Sequence, residues 1–174
     1  TLGPVEWGWT GYFYSALDAA AGGSWWNNPV DRNAHGGMEL TAWYLDQMKQ
    51  YEQANGVRIL DYLDLHYYPQ SGGVALTGAG GQATQDLRLR ATRSLWDSTY
   101  VDESWIADEI RMIPRMHDWV NTYYPGTKLA MRDGPPQPVG GIGRIRLSVI
   151  ELLTRAELWP VRIEFMGDMV ESIR

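Results

Sequence analysis

The sequence contains no cysteine among its 174 residues. Disulfides, thiol nucleophiles and thiolate metal ligands are therefore excluded, and the redox compartment is left undetermined. No apolar run approaches the roughly 20 residues that a membrane-spanning helix needs, so no membrane partner is expected. Histidine is scarce as well: the chain has 3, and none lies in an H-x-x-x-H or H-E-x-x-H spacing. No metal site is predicted among them.

Positive charge is also limited, since 15 Lys and Arg face 21 Asp and Glu, for a net charge of -6. Nucleic-acid affinity depends largely on cationic side chains that neutralise phosphates, so a nucleic-acid-binding role is not expected. The Asp- and Asn-rich loops leave a structural calcium ion open, although no D-x-D-x-D-G loop is present. No cofactor is required by any motif in the chain.

What the sequence has in excess is tryptophan and tyrosine, 9 and 10 residues against 2 Phe. Flat rings with a polar edge suit partners that have apolar faces and hydroxyl rims, as sugar rings do. Carbohydrate is therefore the first hypothesis for the ligand. Because the same side chains are enriched at protein interfaces, a protein partner stays as the alternative.

The order of elements predicts an α/β protein. A short strand near residues 3–7 precedes a long loop over 15–37, a helix over 38–54 closed by Asn55-Gly56, and a strand within 58–68. Strand, helix and strand in this order favour a parallel βαβ unit. Three further elements are predicted: a helix over 82–95 with a solvated face of Arg88, Arg90 and Arg93, a helix over 104–123 with Asp102 as N-cap and a kink at Pro114, and a strand over 128–131.

Two strand ends carry candidate site residues. Alternation along the second strand puts Asp64, His66 and Tyr68 on one face, at the carboxyl end where α/β enzymes place their sites. An Asp and a His spaced in this way are equally consistent with a satisfied polar pair inside a barrel. The first strand ends at Glu6 and Trp7, so a carboxylate and a stacking ring come together there.

The longer motifs resemble a known family. They are Gly3-Pro4-Val5, Trp43-Tyr44-Leu45-Asp46-Gln47-Met48, Asp64-Leu65-His66-Tyr67-Tyr68-Pro69 and Tyr123-Tyr124-Pro125-Gly126-Thr127-Lys128-Leu129-Ala130-Met131. Together they resemble the catalytic domain of glycoside hydrolase family 44, endoglucanases and xyloglucanases with a (β/α)8-like barrel. The resemblance implies that residues 1–131 are a partial (β/α)8 TIM-like barrel, a fragment with parallel strands alternating with helices.

The resemblance also implies an extracellular, retaining hydrolase of β-glucans such as cellulose or xyloglucan. Retaining enzymes use two carboxyl groups about 5 Å apart. The family's Asn-Glu-Pro acid/base motif would precede Thr1, whereas Asp133 falls where the family has the glutamate of Thr-Glu-Tyr. Glu6 is then the carboxyl group left to serve as acid. Because aspartate is one methylene shorter than glutamate, impaired hydrolysis is expected.

The substrate-binding residues that the resemblance implies are of two kinds. Stacking is assigned to Trp7, Trp9, Trp25 and Trp26, and the subsite at the cleaved bond to His66 and Tyr68 beside Asp64. A non-catalytic, sugar-binding or inert fragment stays open as the alternative. A partial barrel would also leave strand edges unpaired, which favours self-association.

The tail, residues 132–174, departs from this pattern and is predicted as a divergent region with a helix over 142–158 and a strand over 161–165. Its segments Pro160-Val161-Arg162-Ile163-Glu164-Phe165-Met166-Gly167-Asp168 and Glu171-Ser172-Ile173-Arg174 resemble part of transcription-repair coupling factors and of excinuclease B proteins. A protein-interaction module in the tail is the third hypothesis.

Overall fold

A computed structural model describes residues 1–74, 80–132 and 161–162 of the chain. The strands and helices are β1 (Leu2–Glu6), α1 (Ala16–Ala20), α2 (Val30–Ala34), α3 (Leu40–Asn55), β2 (Tyr62–His66), α4 (Gln82–Ala91), α5 (Met112–Tyr123), β3 (Lys128–Arg132) and β4 (Val161–Arg162), with short 3-10 turns at Thr10–Tyr12, Trp25–Asn27 and Thr92–Leu95. The described chain forms two compact units. The first contains Thr1–Tyr67 and Met116–Met131, and the second contains Tyr68–Arg115.

The first unit is built on three neighbouring strands in the order β1, β2, β3. β1 and β2 run parallel, with Leu2 opposite Tyr62 and Gly3 opposite Leu63. β3 begins beside β2, where the Lys128 N–H donates to the Asp61 carbonyl oxygen at 2.8 Å. Since α3 connects β1 to β2, the predicted α/β class and the parallel βαβ unit are confirmed.

The core of the first unit comes from the apolar sides of its helices and of β2. Its fully buried members include Leu45 from α3, Leu63 and Leu65 from β2, and Met116 from α5. Leu63 and Leu65 lie two residues apart, as the predicted apolar face of β2 requires. The predicted apolar face of β2 is therefore confirmed.

Helix α3 is close to its predicted bounds, and its end has a clear cause. Gly56 follows the helix in the left-handed conformation, at φ 67° and ψ 18°, and its N–H donates to the Glu52 carbonyl oxygen at 2.8 Å. Glycine adopts this conformation without steric cost, which makes it the usual residue after a helix. The Asn55-Gly56 stop signal is thus confirmed.

The predicted loop over 15–37 is wrong, because it contains α1, α2 and the turn Trp25–Asn27. Both helices have five residues, too few for a periodic pattern to show in the sequence. They are joined by Asp18, a buried residue whose carboxylate accepts the backbone N–H groups of Asp31 at 2.7 Å and Arg32 at 3.2 Å. A single capping carboxylate therefore connects α1 to the start of α2.

In the second unit, the predicted basic helix corresponds to α4, which ends at Ala91. One of its arginines is not solvated. Arg88 is buried and donates from Nε to the Val74 carbonyl oxygen at 2.9 Å and from Nη2 to that of Gly73 at 3.1 Å. Arg90 and Arg93 are partly exposed, and they form ion pairs with Glu103 and Asp97 respectively. Backbone carbonyls can thus bury a guanidinium that composition alone assigns to solvent.

The predicted helix over 104–123 is also wrong over residues 104–111, because α5 begins at Met112. Ala107 and Arg111 have φ of 48° and 36°, which no right-handed helix includes. Asp102 is buried and accepts the Ser94 hydroxyl at 2.7 Å, so it does not cap a helix at 104. Pro114 then falls in the first turn of α5, where proline is tolerated without a kink.

Among the described residues, no helix combines the length and the apolar character needed to cross a bilayer. Of the tail, the two-residue strand β4 falls within the strand predicted at 161–165. The helix predicted over 142–158 and the rest of the repair-like segment lie outside the described residues. The interaction module therefore stays a prediction, as does the domain boundary after residue 131.

Candidate functional site

The carboxyl ends of β1 and β2 lie side by side in the first unit, and their last residues are Glu6 and His66. A β-bulge interrupts the pairing of β1 with β2 near these ends. Pro4 lies opposite Asp64, Val5 is the extra residue at φ 65°, and Glu6 lies opposite Leu65. A bulge changes the direction of the following side chains, and a β-branched residue at positive φ is strained by about 1–3 kcal/mol. The bulge therefore sets where Glu6 points.

The Glu6 carboxylate holds the loop that follows β1. Its Oε1 accepts the backbone N–H groups of Trp7 and Gly8, each at 2.9 Å. Gly11 lies directly against the same carboxylate, since a Cβ at this position would be 2.5 Å from the Glu6 carboxyl carbon. Glu6 thus has a structural role in the loop that carries Trp7 and Trp9, and its assignment as an acid stays a prediction.

The three polar residues predicted on β2 differ in burial and in the unit to which they belong. Asp64 is completely buried and His66 is half-buried, both in the first unit. Tyr68 belongs to the second unit. A residue that sequence reasoning did not single out, Tyr12, is buried and donates its hydroxyl to the His66 carbonyl oxygen, which holds the turn after β1 against the end of β2.

Three of the four predicted tryptophans belong to one continuous run of rings, which we call the aromatic ladder. Its members in order are Trp9, Phe13, Tyr14, Trp25 and Trp26, with centroid distances of 4.8, 6.5, 5.0 and 5.7 Å. All four contacts are edge-on, an arrangement that stabilises aromatic pairs. Phe13 and Tyr14 were missed, although the run Tyr12-Phe13-Tyr14 is a visible signal. Trp26 is 53% exposed at one end, and Trp7, outside the ladder, is 67% exposed.

The ladder is anchored to the rest of the first unit. Phe13 contacts Trp119 of α5 at a centroid distance of 6.0 Å, and the Trp119 indole N–H donates to Glu39 Oε2 at 2.7 Å. The Arg32 guanidinium lies 5.0 Å from the Tyr14 ring centroid, which is a cation-π contact. Rings held from several sides lose little freedom when a ligand stacks on them, and this favours binding.

Asp133, the predicted nucleophile, lies outside the described residues. Among the residues that are described, no three His, Asp or Glu side chains are grouped as a metal site, and a calcium ion stays a prediction. The described fold and rings define an α/β protein with parallel strands and an aromatic surface near the strand ends. Comparison with known proteins identifies a family within this class.

Residues 1–71 match the model of glycoside hydrolase family 44. The chain is 44% identical over 99 residues to endoglucanase A of Paenibacillus lautus, a match that covers 52% of this chain and 14% of the relative. It is 34% identical over 152 residues to the beta-mannanase/endoglucanase A of Caldicellulosiruptor saccharolyticus, covering 76% and 11% respectively. Residues 1–71 therefore belong to glycoside hydrolase family 44, and the predicted resemblance is confirmed.

Solved structures agree over nearly the whole chain. CelM2, a bifunctional glucanase-xylanase from a metagenome library, is 39% identical with a TM-score of 0.80, and the match covers 97% of this chain and 33% of CelM2. A Paenibacillus polymyxa xyloglucanase of family 44 is 30% identical with a TM-score of 0.67, covering 96% and 33%. The chain thus spans about a third of these structures and a smaller share of the curated relatives.

Proposed function

We propose that the chain forms part of the β-glucan-binding face of a retaining family 44 hydrolase, built on a partial (β/α)8 barrel. The observation that carries the proposal is the aromatic ladder, which begins three residues after the end of β1 and ends at the exposed Trp26. Sites of parallel α/β proteins lie at this end of the strands. Among the relatives, a xyloglucanase of this family has been solved with xyloglucan.

In this proposal the exposed Trp7 and Trp26 stack on sugar rings. Trp25 supports Trp26 through their ring contact, and Trp9 begins the ladder that holds both. His66, which is half-buried, supplies a polar group at the end of β2, and the roles of the buried Asp64 and of Tyr68 in sugar binding stay predictions. The aromatic area gives affinity and the polar groups give orientation, as in most small-ligand sites. An extracellular location belongs to the same proposal, since a polymer of glucose would be met outside the cell.

Hydrolysis by the chain would use Asp133 as nucleophile and Glu6 as acid. Retention requires the two carboxyl groups about 5 Å apart across the bond. Glu6, however, holds its own loop through Trp7 and Gly8, and freeing it would release that loop. We therefore expect hydrolysis by this chain to be weak. The same observation favours the second candidate, a sugar-binding role without turnover.

Binding and turnover can be tested separately. Affinity electrophoresis in xyloglucan and carboxymethylcellulose gels should show retardation of the parent chain and a loss of retardation for Trp26→Ala. Trp96→Ala is the matched control, because Trp96 is 37% exposed, belongs to the second unit and is not a member of the ladder. Equal retardation of all three proteins would contradict the assignment of the ladder, and no retardation of the parent would reject the binding proposal.

Turnover is measured as reducing sugar released from the same two polymers. Loss of activity in both Asp133→Ala and Glu6→Gln, with unchanged retardation in the gels, would support the hydrolase. Glu6→Gln keeps an amide oxygen as acceptor for the loop N–H groups, so it separates the acid role from the structural one. Retardation without turnover in the parent would establish the non-catalytic alternative.

A further inference from the structure

A cavity of about 310 Å³ lies in the first unit, beside the aromatic ladder. Its apolar lining consists of Phe13, Met38, Leu40 and Trp43. Small-molecule sites occupy roughly 300–1,000 Å³ and combine apolar walls with a few polar groups. The volume therefore suits a ligand of about one ring.

The polar lining has hydrogen-bonding groups that the chain itself does not use. Arg32 donates from Nε to the Gly37 carbonyl oxygen at 2.8 Å, and within the described part of the chain its two Nη groups have no hydrogen-bond partner. His35 has Nδ1 2.8 Å from the Asp31 carbonyl oxygen. Since a carbonyl only accepts, Nδ1 carries hydrogen, and the neutral ring presents Nε2 as an acceptor.

The lining carries charges of both signs, from Asp18, Asp31 and Arg32, and therefore offers both acceptors and donors to a ligand. A purely apolar ligand would cover the two Arg32 Nη groups without offering them an acceptor, which costs free energy. A neutral ring with several hydroxyl groups satisfies both kinds of polar group and still packs its apolar face on Phe13 or Trp43.

We propose that this cavity is a binding pocket for one neutral sugar ring. The proposal rests on the proposed function, because it takes sugar as the ligand, and it adds a site that the strand-end residues do not form. The ring can be the end of a linear β-glucan or a branch carried by the main chain. The same groups of the pocket would recognise a ring from either source, and two different sugar probes distinguish the chain end from the branch.

The test is an NMR titration of the full chain labelled with nitrogen-15. The indole N–H signal of Trp43 is assigned by its disappearance in Trp43→Phe, and the probes are cellotetraose and a xylosylated cellotetraose. We expect the signal to shift with at least one probe. Arg32→Lys and Asp31→Asn should each raise Kd about tenfold, since each removes a hydrogen bond to a charged group. Trp96→Ala is the control, because Trp96 lines no part of the pocket and belongs to the second unit, and its Kd from the Trp43 signal should stay within about twofold of the parent value.

Each outcome decides the proposal. A shift with cellotetraose supports a chain-end pocket, and a shift only with the xylosylated probe supports a branch pocket. A Trp43 signal that neither probe moves overturns the pocket, as does a shift that Arg32→Lys and Asp31→Asn leave unchanged. If polymer retardation persists in the gels in that case, the proposed function stands while the pocket fails. Because Arg32→Lys and Asp31→Asn test the same pocket separately, misfolding of one of them does not prevent the decision.

Discussion

Glu6 holds the loop after β1 through one oxygen atom, and this gives the first prediction at the residue scale. Glu6→Ala removes the acceptor of two backbone N–H groups, those of Trp7 and Gly8. We expect the free energy of unfolding to fall by about 1–2 kcal/mol, as for hydrogen bonds to a charged group. Urea unfolding measures this. Glu6→Gln, which keeps an acceptor, should lose less than half of that amount, and an equal loss in both variants would contradict the role.

Gly11 supplies the second prediction, because its missing side chain leaves space for the Glu6 carboxylate. A Cβ there would lie 2.5 Å from the carboxyl carbon, so Gly11→Ala must displace Glu6. We expect a loss of about 1–3 kcal/mol. In the Glu6→Ala background the same change should cost little, because the clash is gone. Gly72→Ala is the control, since its Cβ would meet nothing within 4 Å. Additive losses in the double variant would refute the contact.

Glu103 gives a prediction for acid stability. Hydrogen bonds from Arg90, at 2.9 and 3.0 Å, and from the Tyr100 hydroxyl lower its pKa from 4.5 to about 2. The folded state thus binds this proton less readily than the unfolded state, so the carboxylate contributes stability above about pH 4.5. That contribution is lost as the pH falls toward 2.

The pair is partly exposed, so the effect should be modest. Urea unfolding at several pH values between 5 and 2 measures it. Glu103→Gln should be less stable than the parent at neutral pH and should show a shallower loss of stability over the acid range. Hydrogen bonds from Thr99, and then from Arg93, lower the pKa of Asp97 to about 2 as well. Asp97 therefore also contributes stability that is lost in acid, and this contribution is still present in Glu103→Gln. Parallel curves for the two proteins would show that Glu103 contributes nothing.

At the scale of the element, the stability of α3 depends on the glycine that follows its last residue. Gly56 has φ 67°, a conformation that alanine adopts only with strain, so Gly56→Ala should destabilise the chain by about 1 kcal/mol. Gly56→Asn should cost less, because asparagine tolerates this conformation. The measurement is the midpoint of thermal unfolding by circular dichroism. A midpoint for Gly56→Ala equal to that of the parent would show that the cap is unimportant.

Elements with a long, regular pattern were predictable, and short or irregular ones were not. α3 has 16 residues and ends at a recognisable Asn-Gly signal, and along β2 the apolar Leu63 and Leu65 alternate with polar residues, so both elements could be recognised. α1 and α2 have five residues each and depend on the buried carboxylate of Asp18, a contact between segments 13 residues apart. The absence of helix over residues 104–111 has a similar cause, since the local pattern does not report the positive φ of Ala107 and Arg111.

At the scale of the whole molecule, self-association through strand edges stays a prediction. Among the described strands, β1 stands at one end of the order, and Leu2 on it is 40% exposed. An exposed edge favours pairing with another chain, but Pro4 has no N–H and Val5 forms a bulge, which both disfavour it. We expect association only at high concentration, measured by light scattering. Leu2→Lys should reduce it, and a monomer at every concentration would exclude it.

The amino-acid sequence by itself determined the α/β class, the parallel βαβ unit, the family and the aromatic character of the candidate site. These follow from local periodicity, composition and motifs, which need no knowledge of distant contacts. Only the tertiary structure decided that Trp9 and Trp25 share one ladder, that Arg88 is buried and that Glu6 holds a loop. It also decided that a cavity forms beside the ladder. The physical reason is that burial and hydrogen bonding depend on which segments meet in space, and a linear pattern does not specify those meetings.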